Sequence, residues 1–422
     1  MADTMAKMVG VEQVLQARER IGKAIQTSPC RRSAHFSKRC GIEAYLKLEN
    51  LHVTGSFKER GALNRLLCLD DSERERGVIT ASAGNHAQAI AYHATRLGIP
   101  STVVMPKGTP LVKVSNTRSY GARVQLVGDN FDEAYAFARE QVAESGLVFV
   151  PPFDDEHVIA GQGTVALELM EQNEQLEAVI VPIGGGGLIA GIAAAYKSIR
   201  PKVRIIGVQT AAVPSMKESV ESGEIVSLAP AQTIADGIAV KRPGEITFPM
   251  IAKLVDEIVT VDEEEVANAV LLLLEREKTL AEGAAACVLA ALLNERISGL
   301  AGRSVCLLIS GGNIDVNLLS RIIERGLAKD LRLVHCEVVV PDRPGSLARL
   351  LQLVAEQQAN VIEVHHQRAF DVALGEVFVD LILETRGAEQ AQQLSAHLAE
   401  HGFSLRLVPP GSQREERPDP WR

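Results

Sequence analysis

The chain has 422 residues, more than twice the roughly 100–200 of a typical domain, so more than one folding unit is expected. Apolar residues at 46% and charged ones at 23% supply enough burial to offset chain entropy and exclude general disorder. With 44 Lys and Arg against 53 Asp and Glu the net charge is −9, which excludes a general basic field for nucleic acid or anionic lipid and makes small-molecule chemistry the default.

In chain order, Met1 to Lys23 mixes Asp, Lys, Glu and Arg with no apolar core before a small-residue cleavage site, so no secretory signal is expected there. An amphipathic helix is predicted around Val11 to Ile25. Short β-rich runs then alternate with helical segments, and the strand candidates are Ala44 to Leu48, Val78 to Ala81, Thr102 to Met105, Val124 to Val127, Val148 to Val150, Ala178 to Ile183, Arg204 to Gln209, Ile258 to Val261 and Val305 to Ile309. Several are apolar throughout, as strands covered on both faces should be. Helices such as Asn85 to Leu97, Phe131 to Ser145 and Glu263 to Glu275 supply the crossovers, which predicts an open, doubly wound α/β architecture with ligand sites at the carboxyl ends of the strands. The uncharged run from Ala178 to Tyr196 is long enough for a membrane span, but Pro182 and Gly184 to Gly187 break it into strand, loop and helix start, so no membrane segment is expected. Six cysteines (Cys30, Cys40, Cys68, Cys287, Cys306 and Cys336) are scattered without a CxxC pair, which fits reduced thiols in a cytoplasm and neither a disulfide framework nor a zinc site.

The α/β grammar stops near Gly326. From Leu331 to Val408 the pattern becomes strand (Leu331 to Val340), helix (Ser346 to Glu356), strands (Ile362 to Arg368 and Val372 to Glu384), helix (Ala388 to His401) and strand (Ser404 to Val408). That order is βαββαβ, the ferredoxin-like arrangement. The expected division is therefore a first domain over 1–326, with a smaller subdomain of about 54–150 inserted in it, a second domain over 331–409, and a polar, Pro-rich tail to Arg422 without fixed structure.

Four loops carry residues suited to chemistry. Thr54-Gly55-Ser56-Phe57-Lys58-Glu59-Arg60-Gly61 opens an apparent helix; alone, its lysine reads as a surface charge, but a lysine at a strand end together with a Gly-rich phosphate loop elsewhere in the sheet is what covalent attachment of pyridoxal phosphate requires. Ser82-Ala83-Gly84-Asn85-His86-Ala87-Gln88 joins a strand to a helix, where backbone N–H groups can hold a carboxylate, or simply form a capped turn. Gly184-Gly185-Gly186-Gly187-Leu188 lies between a strand and a helix predicted over Ile189 to Ser198, and four glycines let successive N–H groups approach one phosphate with the helix dipole behind them. It has neither the Lys-Ser/Thr of a P-loop nor the GxGxxG register of a dinucleotide site. Ser310-Gly311-Gly312-Asn313 follows the last strand, which places Ser310 at the ligand edge of the sheet or in a turn.

With these four ordered motifs, GSFKERGA, SAGNHAQ, GGGGL and SGGN, residues 10 to 325 resemble the pyridoxal-phosphate enzymes of fold type II, whose architecture is the open twisted sheets and two subdomains of the tryptophan synthase β type. Within that fold the chain is most similar to the threonine/serine dehydratases (threonine ammonia-lyases). The resemblance implies that Lys58 is the Schiff-base lysine with Phe57 beside the cofactor ring. It implies further that Asn85 meets the cofactor 3-hydroxyl, Gly184, Gly185, Gly186, Gly187 and Leu188 form the phosphate cup, and Ser310 partners the pyridine nitrogen. Ser82, Asn85 and His86 match the loop that receives the substrate carboxylate. Gly237, in the family-like stretch Ala235 to Val240, and Glu282 resemble residues near the cofactor. The implied reaction is β-elimination of L-threonine to 2-oxobutanoate and ammonia, and of L-serine to pyruvate. Racemases of this fold carry a serine where Ala83 stands, and relatives with a divalent cation carry acidic residues where Gln209, Val213 and Ser215 stand, so neither property is expected.

In the second domain, Val340 to Leu350 reads as a turn with Ser346 as helix cap. Joined to the βαββαβ order it resembles an ACT domain, a module that often binds amino acids between paired copies. The implied regulatory loop is Asp342, Arg343, Pro344, Gly345, Ser346 and Leu347, with isoleucine or valine as the expected effector, isoleucine biosynthesis as the expected context and a homodimer or homotetramer as the expected assembly. His365 and His366 are adjacent on a strand and point to opposite faces, which argues against a shared metal. The alternatives are serine racemisation, hydroxyaspartate elimination or β-replacement on the same fold, or an amino-acid sensor with an inactive catalytic half.

Overall fold

The structure is a computed structural model and describes residues 8–367 and 375–408. The expected strand end at Arg368, the strand start at Val372 and the tail from Pro409 lie outside the described residues. Among the described residues, fourteen strands follow in chain order: β1 (Cys30–Arg32), β2 (Glu43–Leu48), β3 (Val78–Ala81), β4 (Ser101–Met105), β5 (Arg123–Leu126), β6 (Val148–Phe149), β7 (Ala178–Pro182), β8 (Arg204–Thr210), β9 (Glu257–Val261), β10 (Ser304–Ile309), β11 (Leu333–Pro341), β12 (Asn360–Gln367), β13 (Glu376–Glu384) and β14 (Leu405–Leu407). They form three sheets within two compact units, Met1–Ile314 and Asp315–Arg422.

The first unit holds two open sheets. One has the order β1-β2-β10-β7-β8-β9, parallel except for the antiparallel β1, and the other, β5-β4-β3-β6, is wholly parallel. Strands β3 and β7 are buried at every position, the reason their sequences, Val-Ile-Thr-Ala and Ala-Val-Ile-Val-Pro, show no polar alternation. Helices cover both faces of the larger sheet; Glu156–Gln172 and Gly187–Ile199 are buried along most of their length and pack with it into the main core. All nine expected strands of this unit are present within a residue or so of their predicted ends. The three-residue strand β1, Cys-Arg-Arg, has no apolar pattern and was not expected. The first helix, Val11–Ile21, is shorter than its periodicity suggested, because Gly22 (φ 43°) turns the chain into a short 3₁₀ segment.

The second unit has the antiparallel order β12-β13-β11-β14 with helices Ser346–Glu356 and Ala388–Glu400, the expected βαββαβ sequence. Alternate residues of β11 (Val334, Cys336, Val338, Val340) and β13 (Val377, Val379, Leu381, Leu383) face Leu350, Leu353, Leu394 and Leu398 of the helices. Helix Val316–Lys329, assigned from sequence mostly to the end of the first domain, groups with this second unit: it lies against β11, and the unit division falls at Ile314/Asp315 rather than near 326–331. Among the described residues no helix is long and apolar enough to cross a membrane.

Candidate active site

The site of the first unit forms where loops from both sheets meet at the carboxyl end of β10. Backbone pairing sets it up: Phe57 N donates to Ser310 O (3.0 Å), Gly312 N donates to Gly55 O (2.9 Å), and Ser56 and Gly311 form an isolated antiparallel bridge. The loop 54–57 is thereby stitched to the end of the sheet, and Lys58 is delivered there as the first residue of helix Lys58–Leu67. Its Nζ donates to Pro152 O (2.7 Å) and lies 5.1 Å from the Phe57 ring centroid. Burial lowers the Lys58 amine to about 8, against an opposing pull from Glu282.

Helix Lys58–Leu67 is held from behind by a buried ionic cluster that includes Arg60, two residues after the lysine. The Arg60 guanidinium, fully buried, donates to Glu49 (2.7 and 2.8 Å) and to Glu168 (2.7 and 2.8 Å). Lys47 Nζ adds a contact to Glu168 (2.6 Å), and His52 and the Ser28 hydroxyl reach Glu49 at 3.0 and 2.5 Å. Two buried cations thus face two carboxylates, with the fork geometry of arginine satisfying both and the partly exposed Arg18 lying 3.8 Å from Glu168 at the edge of the cluster.

The glycine run becomes a helix entrance two residues earlier than expected. Gly186 is the N-cap in the left-handed region (φ +97°), and the helix begins at Gly187 rather than Ile189. Ala190 N bonds to Gly186 O as the first intrahelical acceptor is reached, and the cap has no side chain, so the N–H groups of Gly187, Leu188 and Ile189 have no intrahelical acceptor. A Cβ at Gly185 would fall on the Phe153 ring, and one at Gly187 would lie 2.9 Å from Phe153 O. The glycines therefore let the Pro151-Pro152-Phe153 segment, which also holds Lys58 through Pro152 O, close directly on the helix entrance. Asp154, next in that segment, accepts from Glu245, Ile246 and Thr247 backbone N–H groups, and Thr247 Oγ1 donates to Gly185 O (2.6 Å).

On the other side, Asn85 is the first residue of helix Asn85–Arg96, and Ser82 Oγ accepts from Gly84 N (3.3 Å). Asn85 Nδ2 donates to both oxygens of Glu282 (2.8 and 3.1 Å), which sequence reasoning had placed near the cofactor without this partner. Burial, with Asp236 nearby, pushes the Glu282 carboxyl up to about 7 against the stabilising bond from Asn85. Gly237 approaches the same carboxylate: a Cβ there would sit 3.6 Å from Glu282 Oε1. His86 is buried with Nε2 3.1 Å from Val150 O, and burial together with the Lys58 charge lowers it to about 3. Both effects favour the neutral ring, whose Nε2 is turned to Val150 while Nδ1 is buried without a hydrogen-bond partner among the described residues. Ser310 is buried at the end of β10, with Phe57 N on its carbonyl. Gln209 and Ser215 are engaged elsewhere, Gln209 Oε1 accepting from Lys217 N (2.8 Å) and Ser215 Oγ donating to Val240 O (2.5 Å).

Lys58, Phe57, Asn85, Ser82, Gly184 to Leu188, Gly237, Glu282 and Ser310 all belong to these converging loops of the first unit. Pro152, Phe153, Asp154 and Asn313 join these loops through the contacts just described without having been expected from sequence, although Asn313 closes the Ser310-Gly311-Gly312-Asn313 motif. An amine lowered by burial and a helix entrance with unclaimed N–H donors suit an aldehyde-bearing phosphate ester. A family model described as "Pyridoxal-phosphate dependent enzyme" matches residues 21–311.

The chain belongs to the pyridoxal-phosphate dependent enzyme family. Its cofactor is pyridoxal phosphate, and the residues just described fit it. A second family model, the ACT domain, matches residues 334–394. An L-threonine ammonia-lyase of Geobacter sulfurreducens is 51% identical over 396 residues, 94% of this chain and 98% of that protein. Among solved structures, the processed threonine deaminase isoform 2 of Solanum lycopersicum superimposes with a TM-score of 0.70 at 36% identity, over 75% of this chain and 94% of that one. A serine racemase of Dictyostelium discoideum gives a TM-score of 0.69 at 36% identity, over 73% of this chain and 100% of that one.

In the ACT unit, the turn 342–347 is arranged differently from its sequence reading. Gly345, with φ +92°, is the N-cap of helix Ser346–Glu356, so Ser346 is the first helical residue and not the cap. The turn is closed by Arg343 N to Pro341 O (2.8 Å), Ser346 N to Arg343 O (3.2 Å) and Asp342 N to Gly375 O (2.8 Å). Asp342, Arg343, Pro344 and Gly345 are exposed, and Ser346 and Leu347 half-buried.

Proposed function

We propose that this chain is a pyridoxal-phosphate-dependent threonine ammonia-lyase that converts L-threonine to 2-oxobutanoate and ammonia, and L-serine to pyruvate and ammonia. The observation that carries the reading is an uncharged-capable lysine, Lys58, presented at the carboxyl edge of the sheet beside an open helix entrance. The full-length similarity to an L-threonine ammonia-lyase, ACT unit included, supports the choice of substrate.

When bound, pyridoxal phosphate supplies a conjugated sink for the electrons released at the substrate Cα. The N–H groups of Gly187, Leu188 and Ile189, with the dipole of helix Gly187–Ile199 behind them, would hold its phosphate. Ser310 would meet the pyridine nitrogen; a hydroxyl does not hold that nitrogen protonated as a carboxylate would, which favours elimination over transamination. Ser82, Asn85 and the His86 backbone N–H, at the entrance of helix Asn85–Arg96, receive the substrate carboxylate. Lys58, held by Pro152 O and lowered to about 8, can take the Cα proton at near-neutral pH. Loss of the β-hydroxyl as water, uptake of water and release of the amino group as ammonia then give the 2-oxoacid. Ala83, with no ionisable group, provides no second proton carrier for racemisation.

The ACT unit supports amino-acid regulation, and its exposed turn 342–347 is where we place isoleucine or valine. We place the enzyme in a homodimer or homotetramer and, on the strength of six unpaired cysteines, in the cytoplasm. The testing experiment is 2-oxoacid release from L-threonine by the purified holoenzyme beside Lys58→Ala, with L-serine and L-hydroxyaspartate compared and D-serine formation monitored. Oxobutanoate made by wild type and absent in the variant is expected. A cofactor-loaded wild type that releases no 2-oxoacid from threonine or serine would refute the assignment.

A further inference from the structure

We infer that Asn313 is a positioning residue whose carboxamide sets the orientation of the Asn85 carboxamide at the cofactor edge of the site. Asn313 Nδ2 donates one hydrogen to Thr54 O (2.7 Å) and the other to Asn85 Oδ1 (2.7 Å). A backbone carbonyl only accepts, so Thr54 O decides which end of Asn313 faces this way. Asn85 must then turn its oxygen to Asn313 and its nitrogen to Glu282, as observed at 2.8 and 3.1 Å. If Asn85 were reversed, two donors would meet at Asn313, and its oxygen would face the acceptor oxygens of Glu282 whenever that carboxyl is ionised. The polarity of the hydrogen-bond series from Thr54 through Asn313 and Asn85 to Glu282 therefore follows from one main-chain carbonyl.

The surrounding backbone is shaped to leave room for this chain. Gly55 has φ +73°, and a Cβ there would lie 2.6 Å from Asn313 Oδ1; a Cβ at Gly311 would fall on the Glu282 carboxylate. Glu282 N donates to Gly311 O (3.1 Å), so the loop 310–313 anchors both ends of the Asn85 contact. Asn85 comes from the helix that follows β3 in the four-stranded sheet, whereas Asn313 and Glu282 stand on the side of the six-stranded sheet. Asn313 is thus placed to hand a defined amide edge from one sheet to a site built largely on the other.

The inference rests on the reading of Asn85 as a residue that touches the cofactor. It is tested in the holoenzyme by a double-mutant cycle of Asn313→Asp, which keeps the shape and removes both donors, and Asn85→Ala. The readouts are kcat/KM for L-threonine, the visible absorbance of the bound cofactor and its dissociation constant. Asn313→Asp is expected to lower kcat/KM by roughly 10- to 100-fold, as small misplacements in an active site do, and to alter the cofactor absorbance. In the Asn85→Ala background it is expected to add no further loss. Losses that multiply would overturn the inference, because Asn313 would then act through the Thr54 loop alone, with the role of Asn85 intact. An Asn85→Ala enzyme indistinguishable from wild type would overturn the Asn85 reading and the inference with it. Should Asn313→Asp fail to fold, Asn313→Ser, which keeps one short donor, carries the same cycle.

Discussion

Replacing Arg60 by Met tests whether the ionic cluster behind Lys58 governs the stability of the first unit. Methionine approximates the aliphatic stem of arginine, so the cavity contribution is small and the change is chiefly one of charge. In wild type, Lys47 and Arg60 balance Glu49 and Glu168. Without the guanidinium, Glu168 keeps Lys47 at 2.6 Å, but Glu49 keeps only His52 and the Ser28 hydroxyl and becomes an uncompensated buried carboxylate. Removing one partner of such a pair costs about 3–5 kcal/mol, which should appear in urea unfolding followed by far-ultraviolet circular dichroism. The pH dependence supplies a second check. Burial by itself raises the Glu49 carboxyl, yet Arg60 and His52 hold it well below its usual range, so its contribution in wild type is present above the ordinary carboxylate pKa and is lost as pH falls through the lowered one. In Arg60→Met the depressing charge is gone and burial dominates, so acid relieves the variant by protonating Glu49. The deficit should therefore shrink from pH 8 towards pH 5, and Arg60→Met combined with Glu49→Gln should recover part of it at pH 8. A loss below about 1 kcal/mol at pH 8, or a deficit independent of pH and unrelieved by Glu49→Gln, would mean that this cluster does not govern the stability of the first unit.

Three further outcomes are expected. The rate at which apoenzyme takes up pyridoxal phosphate, followed by absorbance, should rise with pH and level off above about 8, because only the uncharged Lys58 amine attacks and burial has lowered it from 10.5; a rise continuing to pH 10 would contradict this. Gly185→Ala should weaken cofactor binding at least tenfold in equilibrium titration, an effect of about 1.4 kcal/mol, and adding Phe153→Ala should restore part of it by removing the ring on which the new Cβ falls. Gly345→Val places a β-branched residue at φ +92° and should weaken the response to isoleucine or valine while leaving effector-free activity unchanged; an unaltered titration would place the effector elsewhere.

Much of the fold was legible because its signals are local. Fully buried strands such as β3 and β7 are written as uninterrupted apolar runs, helix crossovers as 3.6-residue periodicity, and the second unit as an ordered series of six elements. The loops of the site were legible for the same reason: glycine at a strand-to-helix junction marks backbone that must turn tightly or admit a close neighbour. Strand β1 gave no such signal, since Cys30–Arg32 is an edge strand whose pairing with β2 is decided by what lies opposite it. The cap at Gly345 in place of Ser346 and the helix start at Gly187 were decided by backbone geometry at a single residue, beyond what residue type alone specifies.

Residue type and local spacing mark which side chains can carry chemistry and on which kind of loop each stands. Their pairing emerges only in the closed fold. Asn85 meets Glu282 and Asn313 across 197 and 228 residues, and Arg60 meets Glu168 across 108. Such contacts leave no periodicity in the chain, because they are selected by the requirement that every buried charge and amide find a partner once two sheets have closed around the same site.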